Sequence, residues 1–102
     1  MLVDNYFFNI VVPDGIKNLT SIMVTDKNNK VLARFKRGRA VTLKEDTVIN
    51  GINIPRNKQG FIEEIIPKKD TNSSKIKLDF GSLISDKPIE LSLIKLCHYI
   101  AL

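Results

Sequence analysis

The residues that most resemble a functional site are cations concentrated between Lys27 and Lys44. This segment holds seven basic residues and no acidic one, whereas the rest of the chain holds nine basic and eleven acidic residues. The whole formal excess of +5 therefore lies here. Clustered lysine and arginine bind phosphate groups or acidic protein surfaces. The candidates for polyanion or partner binding are Lys27, Lys30, Arg34, Lys36, Arg37, Arg39 and Lys44.

The same segment contains an aromatic residue, Phe35, and bases stack on aromatic side chains in many nucleic-acid-binding proteins. Alternation along a strand places Phe35 opposite Arg34 and Lys36, so we expect the ring to pack inward and not to stack on a base. Three interpretations of the segment stay open. It binds nucleic acid or another polyanion, it contacts a protein partner, or it is a solvated basic edge that resists aggregation.

The acidic residues do not form a catalytic pair by spacing. Glu45-Asp46 and Glu63-Glu64 are adjacent pairs, and neighbouring residues of a strand point to opposite faces. Glu63 and Glu64 could therefore meet one substrate only if a bulge lay between them. We interpret both pairs as solvated charges.

The only cysteine and the only histidine, Cys97 and His98, are also adjacent. They are expected to point apart, whereas a Cys–His nucleophile needs the two within hydrogen-bond reach. A zinc site needs three or four ligands. The five glycines form no phosphate-binding loop. We expect no catalytic, metal or cofactor site, and so a protein that is not an enzyme.

Length and composition point to one domain spanning residues 1–102. A single cysteine excludes an internal disulfide and fits a reducing compartment. No stretch has the features of a secretion signal or the length of a transmembrane helix. We expect a cytoplasmic protein or a component of an assembled particle, with no membrane span.

The stretch from Ala40 to Pro67 indicates how these residues are positioned. Apolar and polar residues alternate at 40–44, and β-branched residues follow at 47–49. Asn50-Gly51 marks a tight turn or a bulge, and Pro55 and Pro67 each end a strand. So many turn residues in a short span favour strands over a helix.

Further strands are predicted at 6–12, 19–25, 31–37 and 75–80. A turn at 13–15, a hairpin loop at 26–30 and a polar loop at 68–74 separate them. Alternation in the strands at 31–37 and 75–80 is expected to turn Val31, Ala33 and Phe35 to one side, which faces inward, and to point Ile76, Leu78 and Phe80 inward as well. In the first strand Phe8, Ile10 and Val12 share one face while Phe7 and Val11 make the other face apolar too. We therefore expect this strand to be central or covered on both sides.

The last segment, Ile89 to Leu102, allows two structures. Ile89, Leu91 and Leu93 share one strand face, and a bulge near Leu93-Ile94 would explain the later shift of the apolar residues. The spacing of Leu93, Leu96, Cys97, Ile100 and Ala101 also fits a helix. We favour a long bent strand. The fold class is thus all-β, a small barrel or sandwich of seven or eight short, mostly antiparallel strands.

The segment from Gly38 to Leu91 carries a more specific order of residues. The glycine is followed by V-x-L-x-E-D at 41–46, I-N-G-I-x-I-P at 49–55, a second glycine, an alternating strand at 76–80 and I-x-L at 89–91. In this order the segment resembles the β-barrel segment of outer-membrane core proteins of type IV secretion and conjugation channels. The resemblance implies a barrel or sandwich form and a non-catalytic role in assembly. The family often has a G-T or G-S turn where this chain has Arg56-Asn57-Lys58-Gln59, and we carry over neither its location nor its secretion function.

The leading hypothesis is a structural or protein-interaction module that binds a protein partner or itself. Such a module could be a subunit of a secretion apparatus or phage particle, or a small inhibitor protein. The alternative is a small β-barrel that binds nucleic acid through the basic residues at 27–44.

Overall fold

A computed structural model describes residues 6–12, 15, 20–69 and 73–100. The described chain forms nine strands and one helix. They are β1 (Phe7–Val11), β2 (Ser21–Thr25), β3 (Val31–Lys36), β4 (Ala40–Thr42), β5 (Thr47–Ile49), β6 (Ile52–Ile54), β7 (Gln59–Ile66), β8 (Lys75–Asp79), β9 (Ile89–Ser92) and α1 (Leu93–Tyr99). Most of the predicted turn at 13–15, the start of the strand predicted from residue 19 and part of the predicted loop at 68–74 lie outside the described residues.

The strands form three antiparallel sheets, which confirms the predicted all-β class. The first sheet has the order β1-β2-β3, the second has the order β4-β7-β8-β9, and β5 pairs with β6 as a separate hairpin. Over the described residues the two larger sheets are open, so the architecture is sandwich-like. The count of nine exceeds the predicted seven or eight because several strands have only three residues.

Alternating apolar residues from both larger sheets and from the helix form one core. Its most buried members, each at most 1% exposed, are Ile22, Val24, Phe35, Ile54, Ile62, Ile76, Leu78, Leu93 and Leu96. The predicted inward face of β8 is confirmed, since Ile76 and Leu78 are fully buried while Lys75 and Asp79 are exposed. Phe35 is also fully buried, as alternation with Arg34 and Lys36 predicted.

Two predicted turns are present with the expected backbone geometry. Asn50 and Gly51 take φ values of 53° and 79° and join β5 to β6, a two-residue hairpin loop that needs positive φ at both positions. In the loop between β2 and β3, Asp26 Oδ1 accepts hydrogen bonds from the backbone N–H groups of Asn28 and Lys30 at 2.8 and 2.9 Å.

The expectation that the first strand is central or covered on both sides is wrong. β1 lies at the edge of its sheet and pairs only with β2 among the described strands. Phe8 and Ile10 are partly buried against the core, but Phe7 and Val11 on the other face are 53% and 46% exposed. The apolar residues identify the strand without showing which of its faces the chain itself covers.

The preference for a long bent strand at the C-terminus is also wrong. β9 ends at Ser92, whose side chain caps α1 by accepting a hydrogen bond from the Lys95 N–H at 3.3 Å. Leu93, Leu96 and Cys97 are buried on one face of the helix. The rival helical spacing was therefore correct, because this face can pack on a core already formed by the sheets.

Candidate functional site

The seven candidate cations do not form one continuous patch. Lys27 and Lys30 lie in the loop between β2 and β3, and Arg34 and Lys36 lie on β3 itself. Arg37 and Arg39 flank Gly38 in the connection from β3 to β4, and Lys44 follows β4 in the second sheet. All except Arg39 are exposed. The sequence segment is thus split over a loop, a sheet face, a turn and a separate strand end.

Strand register brings Arg34 and Lys36 onto the same face as the exposed apolar residues of β1. Residues that pair directly across antiparallel strands project to the same side of the sheet. Asn9 pairs with Met23, which pairs with Arg34, and Val11 pairs with Ser21, which pairs with Lys36. We call this side the outer face; it consists of Phe7, Asn9, Val11, Ser21, Met23, Thr25, Arg34 and Lys36, of which Thr25 is buried. It therefore has an apolar edge on β1 and a cationic edge on β3.

Val31 was expected to face inward with Phe35 but is 43% exposed. The pairing of β2 with β3 shifts between Val24 and Thr25, so that Val24 pairs with Ala33 and Thr25 with Val31. One residue of β3, Leu32, is therefore extra, and this bulge reverses the side to which Val31 projects. The reversal adds an apolar side chain beside the outer face.

The turn after β3 holds Arg39 against the sheet. Gly38 takes a φ of 88°, and the Arg39 N–H donates to the Lys36 carbonyl at 3.1 Å, which closes a turn with glycine at its third position. The Arg39 guanidinium lies 5.3 Å from the centre of the Phe35 ring and donates a hydrogen bond to the Arg34 carbonyl oxygen. Because of these contacts, Arg39 supports the fold more than it offers a free charge.

Arg37 lies instead beside acidic residues, in a groove of about 560 Å³. Thr20, Glu63 and Glu64 line the groove with it, together with the apolar segment 65–67. The register between β7 and β8 shifts between Ile62 and Glu64, so Glu63 is the extra residue of a bulge. Consequently Glu63 and Glu64 are both exposed and both line this groove.

The burial pattern along β7 follows from that bulge. Gly60 and Ile62 are buried at a spacing of two, but the next buried residue is Ile65, at a spacing of three. The interpretation of Glu63 and Glu64 as residues on opposite faces assumed a regular strand. Their position beside Arg37 lowers the net positive charge at this end of the first sheet.

The second sheet pairs its outward charges with one another. Lys75 Nζ lies 3.3 Å from Glu90 Oε2, and Lys77 Nζ lies 3.5 Å from Glu64 Oε1. By contrast, none of the seven candidate cations forms an ion pair with a described residue. Arg34 and Lys36 therefore present charge on the outer face that no described acidic residue neutralises.

The cysteine and the histidine lie on α1 and not on a strand as expected. Cys97 is buried, and desolvation raises its pKa to about 12, so its sulfur is a neutral thiol at physiological pH. His98 is partly buried. Over the described residues, no group of His, Cys, Asp and Glu is arranged to hold a metal ion, and no helix has the length and apolarity needed to span a membrane.

Comparison with protein-family models, curated proteins and solved structures finds no match to this chain. The resemblance of 38–91 to type IV secretion core proteins therefore stays a prediction. Sequence reasoning missed Phe7 and Val11 as surface residues. The one feature of the sequence that bears on their exposure is the lack of charged residues in β1. That lack is equally typical of a buried strand, so it could not identify Phe7 and Val11 as exposed.

Proposed function

We propose that this protein is a non-enzymatic protein-interaction module that contacts its partner through the outer face of the first sheet. The observation that carries the proposal is the joint exposure of Phe7 and Val11 on an edge strand, two strands away from Arg34 and Lys36, which pair with no described acid. Protein interfaces combine an apolar, often aromatic centre with a polar rim. The outer face has both parts.

The energetics of exposure favour a covered state for this face. Burying a phenylalanine or valine side chain that is otherwise exposed stabilises a complex by roughly 1.5–3 kcal/mol. Phe7 and Val11 are each about half exposed, so a partner that covered both would gain a few kcal/mol. Exposed apolar residues elsewhere, such as Phe61, Val48 and Leu83, lie singly on other elements, which is ordinary for a protein surface.

The cations give the proposed interface a positively charged rim. Arg34 and Lys36 project from the same side of β3, roughly 7 Å apart along the strand. A partner with acidic side chains at this spacing would associate faster and in a fixed orientation. The role as a subunit of a larger assembly, which the resemblance to secretion core proteins implies, is part of this proposal.

Photo-crosslinking from the outer face tests the proposal. We would place p-benzoylphenylalanine at position 7 and, as a matched control, at Leu83, which is 93% exposed but lies away from the first sheet. We expect discrete protein adducts from position 7 in the native host, fewer adducts when Arg34 and Lys36 are both replaced by Glu, and none of the same adducts from position 83. Identical adducts from both positions, or none from position 7, would contradict the proposal.

Nucleic-acid binding is the second candidate function, and one observation favours it. Phe35 is buried, but Phe7 supplies an exposed ring on the same sheet face as Arg34 and Lys36. A sheet face with aromatic and basic residues can stack bases and neutralise phosphates.

Binding to single- and double-stranded oligonucleotides at low and physiological salt separates the two functions. If the second is correct, affinity falls steeply with salt, and Phe7→Ala weakens binding to single strands. The control is Phe61→Ala, which removes an equally exposed ring from the second sheet. Absence of binding at low salt would exclude the nucleic-acid function.

A further inference from the structure

The strand β1 has the properties of an edge that is open to pairing. It has five residues, F-F-N-I-V, with no charged residue, proline or bulge, and one side of it pairs with no described strand. Natural proteins usually protect exposed edges with such residues, because unpaired backbone N–H and C=O groups recruit other strands.

The other edges of the two larger sheets are protected in the described part of the chain. β3 carries Arg34 and Lys36, and β4 has only three residues. β9 is followed directly by α1, and its Glu90 carbonyl accepts a hydrogen bond from Asn50 Nδ2 of the β5–β6 turn at 3.0 Å. β1 therefore stands out as the long edge without protection.

The residues of β1 are also self-complementary. If two copies of the strand pair antiparallel about a two-fold axis at Asn9, then Phe7 faces Val11, Phe8 faces Ile10, and Asn9 faces Asn9 of the other copy. Aromatic and β-branched residues are favourable cross-strand neighbours. The register keeps apolar residues together on both faces and places the one polar residue on the axis, as a symmetric interface requires.

We propose that this chain forms a symmetric dimer through antiparallel pairing of β1 with β1 of a second copy. The inference rests on the proposed function, because the outer face supplies the apolar edge at which a second copy pairs; the cations of β3 stay free for a further, acidic partner. Pairing joins the two first sheets into one six-stranded sheet with the order β3-β2-β1-β1-β2-β3. Phe7 and Val11 of both copies then form one apolar area on the outer face, with cations at both outer edges.

The net charge of +5 does not prevent this pairing. β1 itself carries no charge, and the two β3 strands would be separated by five strand spacings, about 24 Å. That separation exceeds the Debye length of roughly 8 Å at physiological ionic strength, so repulsion between the cationic edges is largely screened. Added salt should therefore preserve or strengthen the dimer, whereas it weakens binding to an acidic protein or a nucleic acid.

A pairing of five residues per copy is a small interface, below the roughly 1,200 Å² of a standard one. We therefore expect a dimer with a dissociation constant in about the micromolar range, which sedimentation of the full chain over a concentration series can detect. The informative variant is Asn9→Lys, which places two like charges opposite each other on the axis. It should weaken the dimer at least tenfold, while Leu83→Lys adds the same charge elsewhere and should leave it unchanged.

Disulfide trapping tests the register without depending on affinity. Directly opposed residues of antiparallel strands have Cα atoms about 4.5–5.5 Å apart, which suits a disulfide. With oxidised glutathione, Asn9→Cys should form a covalent dimer. Phe7→Cys alone should not, but a mixture of Phe7→Cys and Val11→Cys should. The native Cys97 is buried and provides the background level.

The outcomes distinguish this inference from the proposed function. A monomer at every concentration, or a dimer unaffected by Asn9→Lys with no trapping at position 9, would overturn the dimer. If photo-crosslinks from position 7 then reach a different protein, the interaction module stands with a different partner. If position 7 reaches only a second copy and Asn9→Cys is trapped, both are supported.

Discussion

The two larger sheets differ in how the charged side chains on their outward surfaces are paired. The second sheet neutralises its outward lysines with glutamates, through the pairs Lys75–Glu90 and Lys77–Glu64. The first sheet places Arg34 and Lys36, which pair with no acid in the described part of the chain, on the same side as the exposed Phe7 and Val11. Both sheets contribute buried apolar residues to the core. The second sheet therefore pairs its outward lysines with acids, while the first exposes cations and apolar side chains together.

The edges of the sheets show the same contrast. At the second sheet, the β5–β6 hairpin donates a hydrogen bond to β9, and α1 follows β9 at once. At the first sheet, β1 has no such neighbour among the described residues. Substitutions can test whether the outer face contributes to the stability of the fold, and whether the residues of the second sheet are as tightly packed as their burial indicates.

Two phenylalanines of the first sheet should differ most. Phe35→Ala removes a fully buried ring, and we expect it to lower the free energy of unfolding by about 3–5 kcal/mol. Phe7→Ala removes a ring that is 53% exposed and should lower the same free energy by only about 1 kcal/mol. Urea unfolding followed by circular dichroism at micromolar or lower concentration measures both. Comparable losses of unfolding free energy would show that the outer face stabilises the fold as much as the core does.

Gly60 tests the packing of the second sheet. A Cβ added there would lie 2.6 Å from Cε1 of the Phe80 ring, which is 3% exposed and has little room to move. We expect Gly60→Ala to destabilise the protein by about 1–3 kcal/mol through overpacking. The neighbouring exposed substitution Gln59→Ala is the control and should be nearly neutral.

A double variant identifies the cause of that loss. If the clash with the ring is responsible, Gly60→Ala combined with Phe80→Leu should cost less than the sum of the two single substitutions. Simple additivity would mean that the ring is not the obstacle.

The cap of α1 should have an intermediate effect. Ser92→Ala removes the hydroxyl that accepts from the Lys95 N–H, and we expect a loss of about 1 kcal/mol. Ser92→Asp keeps an acceptor at the N-cap and should retain most of the stability. Thermal unfolding measures both, with the exposed Ser82→Ala as a control. A neutral Ser92→Ala would show that packing of the helix, and not its cap, sets where β9 ends.

The smallest expected effect is that of the surface ion pair. A double-mutant cycle on Lys75 and Glu90 should give a coupling of about 0.2–1 kcal/mol that decreases at high salt, because both side chains are partly exposed. Lys36, for which the described residues supply no ion-pair partner, should show no coupling to Glu90. Coupling at Lys36 as large as at Lys75 would remove the distinction between paired and unpaired cations.

Much of the fold could be predicted from local pattern. The alternation at 75–80 correctly gave the inward residues of β8, and Asn50-Gly51 correctly gave the tight turn, since both depend on neighbouring residues alone. The inward position of Phe35 followed from the same alternation. The candidate cations were identified by charge, but their division among a loop, a sheet face and a turn required the fold.

The errors arose where a choice depends on distant residues. The apolar residues after Ser92 fit both the strand period and the helix period. The segment is a helix because Leu93, Leu96 and Cys97 then lie on one face and are buried in the core. Glu63 and Glu64 line the same groove because a bulge lies in the pairing of β7 with β8. A local pattern cannot specify such features when the partner strand is unknown.

The positions of the strands and turns, and the side to which most residues project, follow from the sequence alone. Side chains alternate with a period of two whatever the strand packs against. The edge position of β1 among the described strands, and the exposure of Phe7 and Val11 on the same side as Arg34 and Lys36, are known from the tertiary structure and not from the sequence. The reason is physical. An apolar face is favourable in any environment that excludes water, and the sequence does not say whether the same chain or a partner provides that environment.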